Sequence, residues 1–159
     1  MNYTINMSRK ERIFLDSSII IGLFSGDDDA EKVLGGIISQ SLCINDVVFS
    51  EVVYKSMALK FLETEEKFSL KKLKRNIDNY VYLYGEFSNF SREFETVFLI
   101  ITEEVIEIAS SLAPKYKLLP NDALIAATCK HYGIKKIATF DPDFKRVDFL
   151  EVVELEVKQ

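Results

Sequence analysis

Short apolar runs alternate with longer segments of helical periodicity along this chain, and that alternation restricts the possible folds more than any other feature. The runs within residues 12–15, 42–44, 94–101, 136–139 and 150–153 are too short for helices and read as strands, the last of them edge-like. Between them lie helical stretches. Residues 17–24 begin with serines placed to cap a helix, and residues 30–40 follow a Gly-Asp-Asp-Asp loop at 26–29 whose acids suit a helix N-terminus. Asn45 or Asp46 caps a long helix reaching about Phe61, Thr102 caps one continuing to Pro114, and residues 121–132 form one stopped by Gly133. Strands alternating with helices predict an α/β protein of three layers, α/β/α, around a central, mostly parallel sheet.

Four carboxylates sit where these elements begin or end. Asp16 closes Ile13-Phe14-Leu15, Glu51 lies near the start of the long helix, Asp122 opens Asn121-Asp122-Ala123-Leu124-Ile125, and Asp141 follows Ile137-Ala138-Thr139-Phe140. An acid beside a core-forming run is costly to bury unless it is paired or bound to a cation. Each has a plainer role available: Asp16 as a helix cap, Asp141 in an Asx-turn, Asp122 as a partner of the helix dipole, Glu51 as a solvated helix residue. Those roles do not explain why all four adjoin apolar runs. A shared site does, and parallel α/β folds collect ligands at the carboxyl ends of their strands. Oxygen-only ligands suit Mg²⁺ or Mn²⁺.

At 159 residues the chain has the length of one domain, with a core from about 12 to 153. A net charge of −5 argues against a general nucleic-acid coat but not against an enzyme that grips its substrate at a metal. The polar stretch 1–10 lacks the apolar core of a signal peptide, and no apolar run is long enough to span a bilayer. Cys43 and Cys129 have no CxxC or Cys/His pattern and read as packed free thiols, which makes the cytoplasm the expected compartment.

Four blocks, in order, resemble the PIN-domain ribonucleases, in particular the toxins of VapBC-type toxin–antitoxin pairs. They are Ile13-Phe14-Leu15-Asp16-Ser17-Ser18, Ile44-Asn45-Asp46-Val47-Val48-Phe49-Ser50-Glu51, Leu119-Pro120-Asn121-Asp122-Ala123-Leu124-Ile125-Ala126-Ala127-Thr128 and Ala138-Thr139-Phe140-Asp141-Pro142-Asp143-Phe144. The third is the most specific, and the resemblance runs from about Arg12 to Val153. It implies a PIN-like fold and Mg²⁺- or Mn²⁺-dependent hydrolysis of RNA phosphodiester bonds to 5′-phosphate and 3′-hydroxyl ends. It also implies Asp16, Asp122 and Asp141 as metal ligands, with Glu51 as a ligand or as an orienter of water. Ser18 and Thr139 become candidates to hydrogen-bond those carboxylates, with capping or strand packing an equal alternative. Asp143 is either a fifth acid or a turn residue. The resemblance further implies a homodimer and an antitoxin partner that packs on an apolar helical groove and sends a basic side chain to the acids.

Residues 63–95 match no block. Their basic cluster (Lys71, Lys72, Lys74, Arg75) and aromatics (Tyr80, Tyr82, Tyr84, Phe87, Phe90, Phe94) fit a solvated helix face and a core or dimer surface better than a single-stranded RNA track. His131, the only histidine, falls at a helix C-terminus, where it suits the dipole, so histidine-based RNA cleavage is not expected. A dehalogenase-type phosphatase would need an acid where Ser18 stands, and a receiver domain an acidic pair ending the first strand. The remaining alternative is a catalytically inactive PIN-like scaffold or RNA-binding module, although such proteins lose acids that this chain keeps.

Overall fold

A computed structural model describes residues 9–155; the polar stretch through Ser8 lies outside the described residues. Five strands form one all-parallel sheet in the order β3-β2-β1-β4-β5, made of β1 (Arg12–Leu15), β2 (Ser41–Asn45), β3 (Val97–Leu99), β4 (Lys136–Ala138) and β5 (Glu151–Val152). Ile13, Phe14 and Leu15 of β1 are all buried, as a central strand covered on both faces requires. Burying a side chain such as Phe14 contributes about 1.5–3 kcal/mol. β5 is an edge strand, as its sequence suggested, and so is β3.

The first half of the chain supplies α1 (Ser17–Phe24), α2 (Asp28–Ile37), α3 (Asp46–Leu62), α4 (Leu70–Arg75) and α5 (Tyr82–Glu93). The second supplies α6 (Glu103–Tyr116) and α7 (Pro120–Tyr132). Helix α1 packs on α2 and α3, α3 on α5, and α6 on α7. Right-handed crossovers place the two groups on opposite faces of the sheet, giving the three layers. Gly22 permits the tight crossing of α1 and α2, since a Cβ there would stand 2.8 Å from the Ala30 Cβ.

Local chemistry sets most boundaries. The side chains of Asp27, Asn45, Ser69 and Thr102 each accept a backbone N–H at the start of α2, α3, α4 and α6. Gly133 ends α7 with a left-handed φ of 69°. Helix α2 starts earlier than the sequence suggested, because Asp27 caps it and draws Asp28 and Asp29 into its first turn. The strand expected over 94–101 shrinks to Val97–Leu99. Phe94 instead closes α5, and Glu95 turns the chain with a φ of 49°. Helix α6 runs two residues past Pro114. The segment 63–95 is largely helical, with Leu73, Leu83, Phe87 and Phe90 buried, Tyr80 and Phe94 partly buried, and its lysines, Tyr82 and Tyr84 exposed.

This strand order has its switch point between β1 and β4, where the connections depart in opposite directions. In open α/β sheets the crevice beyond the strands' carboxyl ends at that point is where ligands bind. Leu15 pairs with Ala138 there, and the Asp16 N–H donates to the Ala138 carbonyl at 3.0 Å. Residues 16 and 139–141 therefore leave the sheet side by side.

Candidate active site

Asp16 directly follows β1 and is 4% exposed. It occupies the N-cap position of α1, yet its side chain makes no capping hydrogen bond. Its Oδ2 accepts from the Thr139 hydroxyl at 2.6 Å and from the Ser18 hydroxyl at 2.8 Å. The same hydroxyls reach across to the opposite turn: Thr139 Oγ1 accepts the Asp141 N–H at 2.9 Å, and Ser18 Oγ accepts the Phe140 N–H at 3.0 Å. Burial raises the Asp16 carboxyl above the ordinary range, and the two hydroxyl donors oppose that rise. Ser18 and Thr139 thus orient a carboxylate and lock the β1 and β4 exits together.

Asp122 lies in the first turn of α7 and Asp141 just beyond β4. One carboxylate oxygen from each of Asp122, Asp141 and Asp143 lies within 4.8 Å of the others, and all three residues are partly buried. Burial comes first in pushing the Asp122 carboxyl from 3.8 up to about 6, followed by the charges of Asp141, Asp16, Glu51 and Asp143. All four other acids therefore bear on Asp122 electrostatically, although Asp16 and Glu51 stand outside the close group. Among the described residues, no Lys or Arg comes within 4.0 Å of the carboxylates of Asp16, Asp122 or Asp141. Like charges crowded without a counter-cation are the condition that a divalent ion relieves. Carboxylates in this number fit Mg²⁺ or Mn²⁺ by donor type.

The other two acids carry cations of their own. Glu51 is mostly buried on α3, with Lys55 at 3.0 Å from Oε2 and the Ser17 hydroxyl at 3.4 Å from Oε1. It is not a solvated helix residue. Asp143 meets the Arg146 guanidinium at 2.6 Å, and Arg146 also donates to the carbonyls of Tyr116 and Lys117 at the C-terminal end of α6. The turn role falls to Asp141, whose Oδ1 accepts the Asp143 N–H at 2.9 Å. Asp143 is thereby free to point into the acid group. Its spacing of two from Asp141 around a proline is the sequence signal that accompanies this placement. Arg146 and Lys55 went unnoticed, since single basic residues near a motif look like any surface charge.

The PIN-domain family model matches residues 13–150. Ribonuclease VapC6 of Methanocaldococcus jannaschii is 40% identical over 148 residues, covering 89% of this chain and 96% of its own. Ribonuclease VapC2 of the same organism is 36% identical over 151 residues, covering 92% and 95%. Among solved structures, a toxin–antitoxin complex from Klebsiella pneumoniae aligns with a TM-score of 0.61 at 21% identity, over 89% of this chain and 96% of that one. Mycobacterium tuberculosis VapC20, a sarcin-ricin loop cleaving toxin, also aligns with a TM-score of 0.61, at 19% identity over 89% and 99%. The model match and the two ribonucleases span nearly the whole length, acid sites included: this chain belongs to the PIN-domain family and is a relative of the VapC ribonucleases.

Proposed function

We propose that this chain is a divalent-metal-dependent endoribonuclease, the toxin of a toxin–antitoxin pair, that hydrolyses RNA phosphodiester bonds to 5′-phosphate and 3′-hydroxyl ends. One observation carries the reading: Asp122, Asp141 and Asp143 crowd their carboxylates together at the sheet's switch point, and Asp122 is pushed up to about 6. In this reading residues 12–153 are the core of a single nuclease domain. Asp122 and Asp141 hold Mg²⁺ or Mn²⁺ together with Asp16, and Asp143 joins them. The bound ion supplies positive charge against the scissile phosphate and acidifies water. Ser18 and Thr139 keep Asp16 ionisable by donating to it, and their bonds to the 140–141 backbone hold Asp141 at a fixed distance from Asp16. Glu51 orients water at the site, steadied by Lys55 and Ser17.

The expected setting is cytoplasmic, in keeping with two buried, unpaired cysteines and with the absence, among the described residues, of any helix long and apolar enough to cross a membrane. Half-exposed Tyr54, Leu59 and Leu62 of α3 with Tyr82 and Tyr84 of α5 offer apolar area for an antitoxin and for a second copy in a homodimer. The test is cleavage of a structured RNA by the purified chain. Activity should need Mg²⁺ or Mn²⁺, vanish in excess EDTA and vanish in Asp122→Asn, with end-group analysis reporting 5′-phosphates. Full activity in EDTA would overturn the assignment, and RNA binding without metal-dependent cleavage would favour an inactive PIN-like module.

A further inference from the structure

Among the described residues, a fully buried side-chain bridge stands that the acid site itself does not use. Asn45, the last residue of β2, and Thr128, in the middle of α7, are both 0% exposed. Asn45 Nδ2 donates to Thr128 Oγ1 at 3.0 Å, and that hydroxyl donates to the Leu124 carbonyl at 2.7 Å. At its other end, Asn45 Oδ1 accepts the Val48 N–H at 3.2 Å and caps α3. A buried amide is costly unless its partners are in place, so this pair tolerates only a narrow range of placements of α3 against α7. An apolar pair would pack there without fixing that register.

The bridge is placed symmetrically about the acids. Glu51 lies six residues beyond Asn45 along α3, and Asp122 lies six residues before Thr128 along α7. In both cases this is about 9 Å of helix. The two helices come from opposite layers, and the Asn45–Thr128 pair is a polar side-chain bond between them. We propose that Asn45 and Thr128 are positioning residues: their hydrogen bond sets the spacing of Glu51 from Asp122, and with it the geometry in which the acids take a divalent ion. This inference rests on the metal-dependent nuclease reading.

The experiment uses the full chain and Mn²⁺ as the probe, with free Mn²⁺ followed by electron paramagnetic resonance, alongside kcat and KM for RNA cleavage. The variants are Thr128→Val, Asn45→Ser (which keeps a capping oxygen), Thr128→Ser and the Asn45→Ser/Thr128→Val double. Thr128→Val and Asn45→Ser should each weaken Mn²⁺ binding and lower kcat on the order of tenfold, with KM for RNA unchanged. Thr128→Ser, which keeps the hydroxyl, should restore both. The double variant should lose no more than the worse single, because the bridge is broken once; it also leaves no amide unpaired should Thr128→Val fail to fold. Tyr116→Phe, which removes the hydroxyl that donates to Asp148 Oδ1, controls for stability loss elsewhere and should leave Mn²⁺ affinity intact. Wild-type Mn²⁺ affinity and kcat in folded Thr128→Val, or in the folded double, would overturn the proposal. A wild-type protein that neither binds Mn²⁺ nor cleaves RNA would overturn the nuclease reading and this inference with it.

Discussion

The acid site divides into two halves built on different principles. On one side, Asp122, Asp141 and Asp143 are partly buried and within 4.8 Å of one another, and burial first, then the neighbouring acids, lift Asp122 to about 6. On the other, Asp16 is buried and held by two hydroxyls, while Glu51 is paired with Lys55. The first half stores electrostatic cost that only a cation or a proton can relieve. The second half has partners for its carboxylates, although burial still raises Asp16. A site of this kind needs both, one part with unmet charge to attract the ion and another rigid enough to present its carboxylate without reorganisation.

The largest expected effect comes from removing unmet charge. Asp122→Asn should lower RNA cleavage on the order of 10³-fold or more while leaving the fold intact. Because it also removes a repelled charge, it should raise the melting temperature of the metal-free protein at pH 7. A drop in melting temperature in EDTA would mean that Asp122 is held by attractions that the described structure lacks.

Asp143 sharpens the comparison, since it belongs to the open half yet carries Arg146. Asp143→Asn keeps the shape and can still accept from Arg146, so structure should survive. We expect Mn²⁺ affinity to fall by roughly 10–100-fold, the range seen when groups supporting a metal are altered. Unchanged affinity would return Asp143 to a turn residue and move Arg146 to a purely structural role. In the satisfied half, Thr139→Val should act mainly on stability. It strips one donor from buried Asp16 and one acceptor from the Asp141 N–H, a loss of about 1–3 kcal/mol in urea melts, which Thr139→Ser should recover.

The same division explains what could be read from the sequence. Asp16, Asp122 and Asp141 were legible because a carboxylate directly after a buried strand, or in the first turn of a buried helix, has few inexpensive reasons to be there. The strand order places them together once β1 and β4 are neighbours. Ser18 and Thr139 were legible as hydroxyls beside acids, but not their double duty, which depends on Phe140 and Asp141 backbone groups in space. Glu51 was legible as an acid, whereas its Lys55 partner at i+4 looked like an ordinary helix pair. The stretch 63–95 was hardest. Helix α4 is short, few of the stretch's apolar residues are buried (Leu73 on α4; Leu83, Phe87 and Phe90 on α5), and the apolar run at 94–101 pointed to a longer strand than Phe94 and Glu95 allow. Apart from the Ser69 cap of α4, the boundaries in that region are tertiary outcomes, not local ones.

The smallest effect, and the most direct measure of the cost of charging Asp122 in the fold, is the pH dependence of the metal-free protein. Asp122 titrates near 3.8 when unfolded and at about 6 when folded. Below the first value both states hold the proton, and above the second both have lost it. Between them the folded state binds more protons, so stability falls as pH rises through that window and levels off above about 6. Burial of Asp16 acts in the same direction. Urea melts in EDTA should therefore show wild type losing stability from pH 4.5 to 7, with a shallower loss in Asp122→Asn. The advantage of the variant over wild type should be larger at pH 7 than at pH 4.5. Saturating Mg²⁺ or Mn²⁺ should reverse the slope for wild type, because the ion displaces the proton and is bound only by the folded chain. Parallel pH profiles for wild type and Asp122→Asn in EDTA would show that folding does not raise the Asp122 carboxyl, and the contrast between the two halves of the site would then rest on geometry alone.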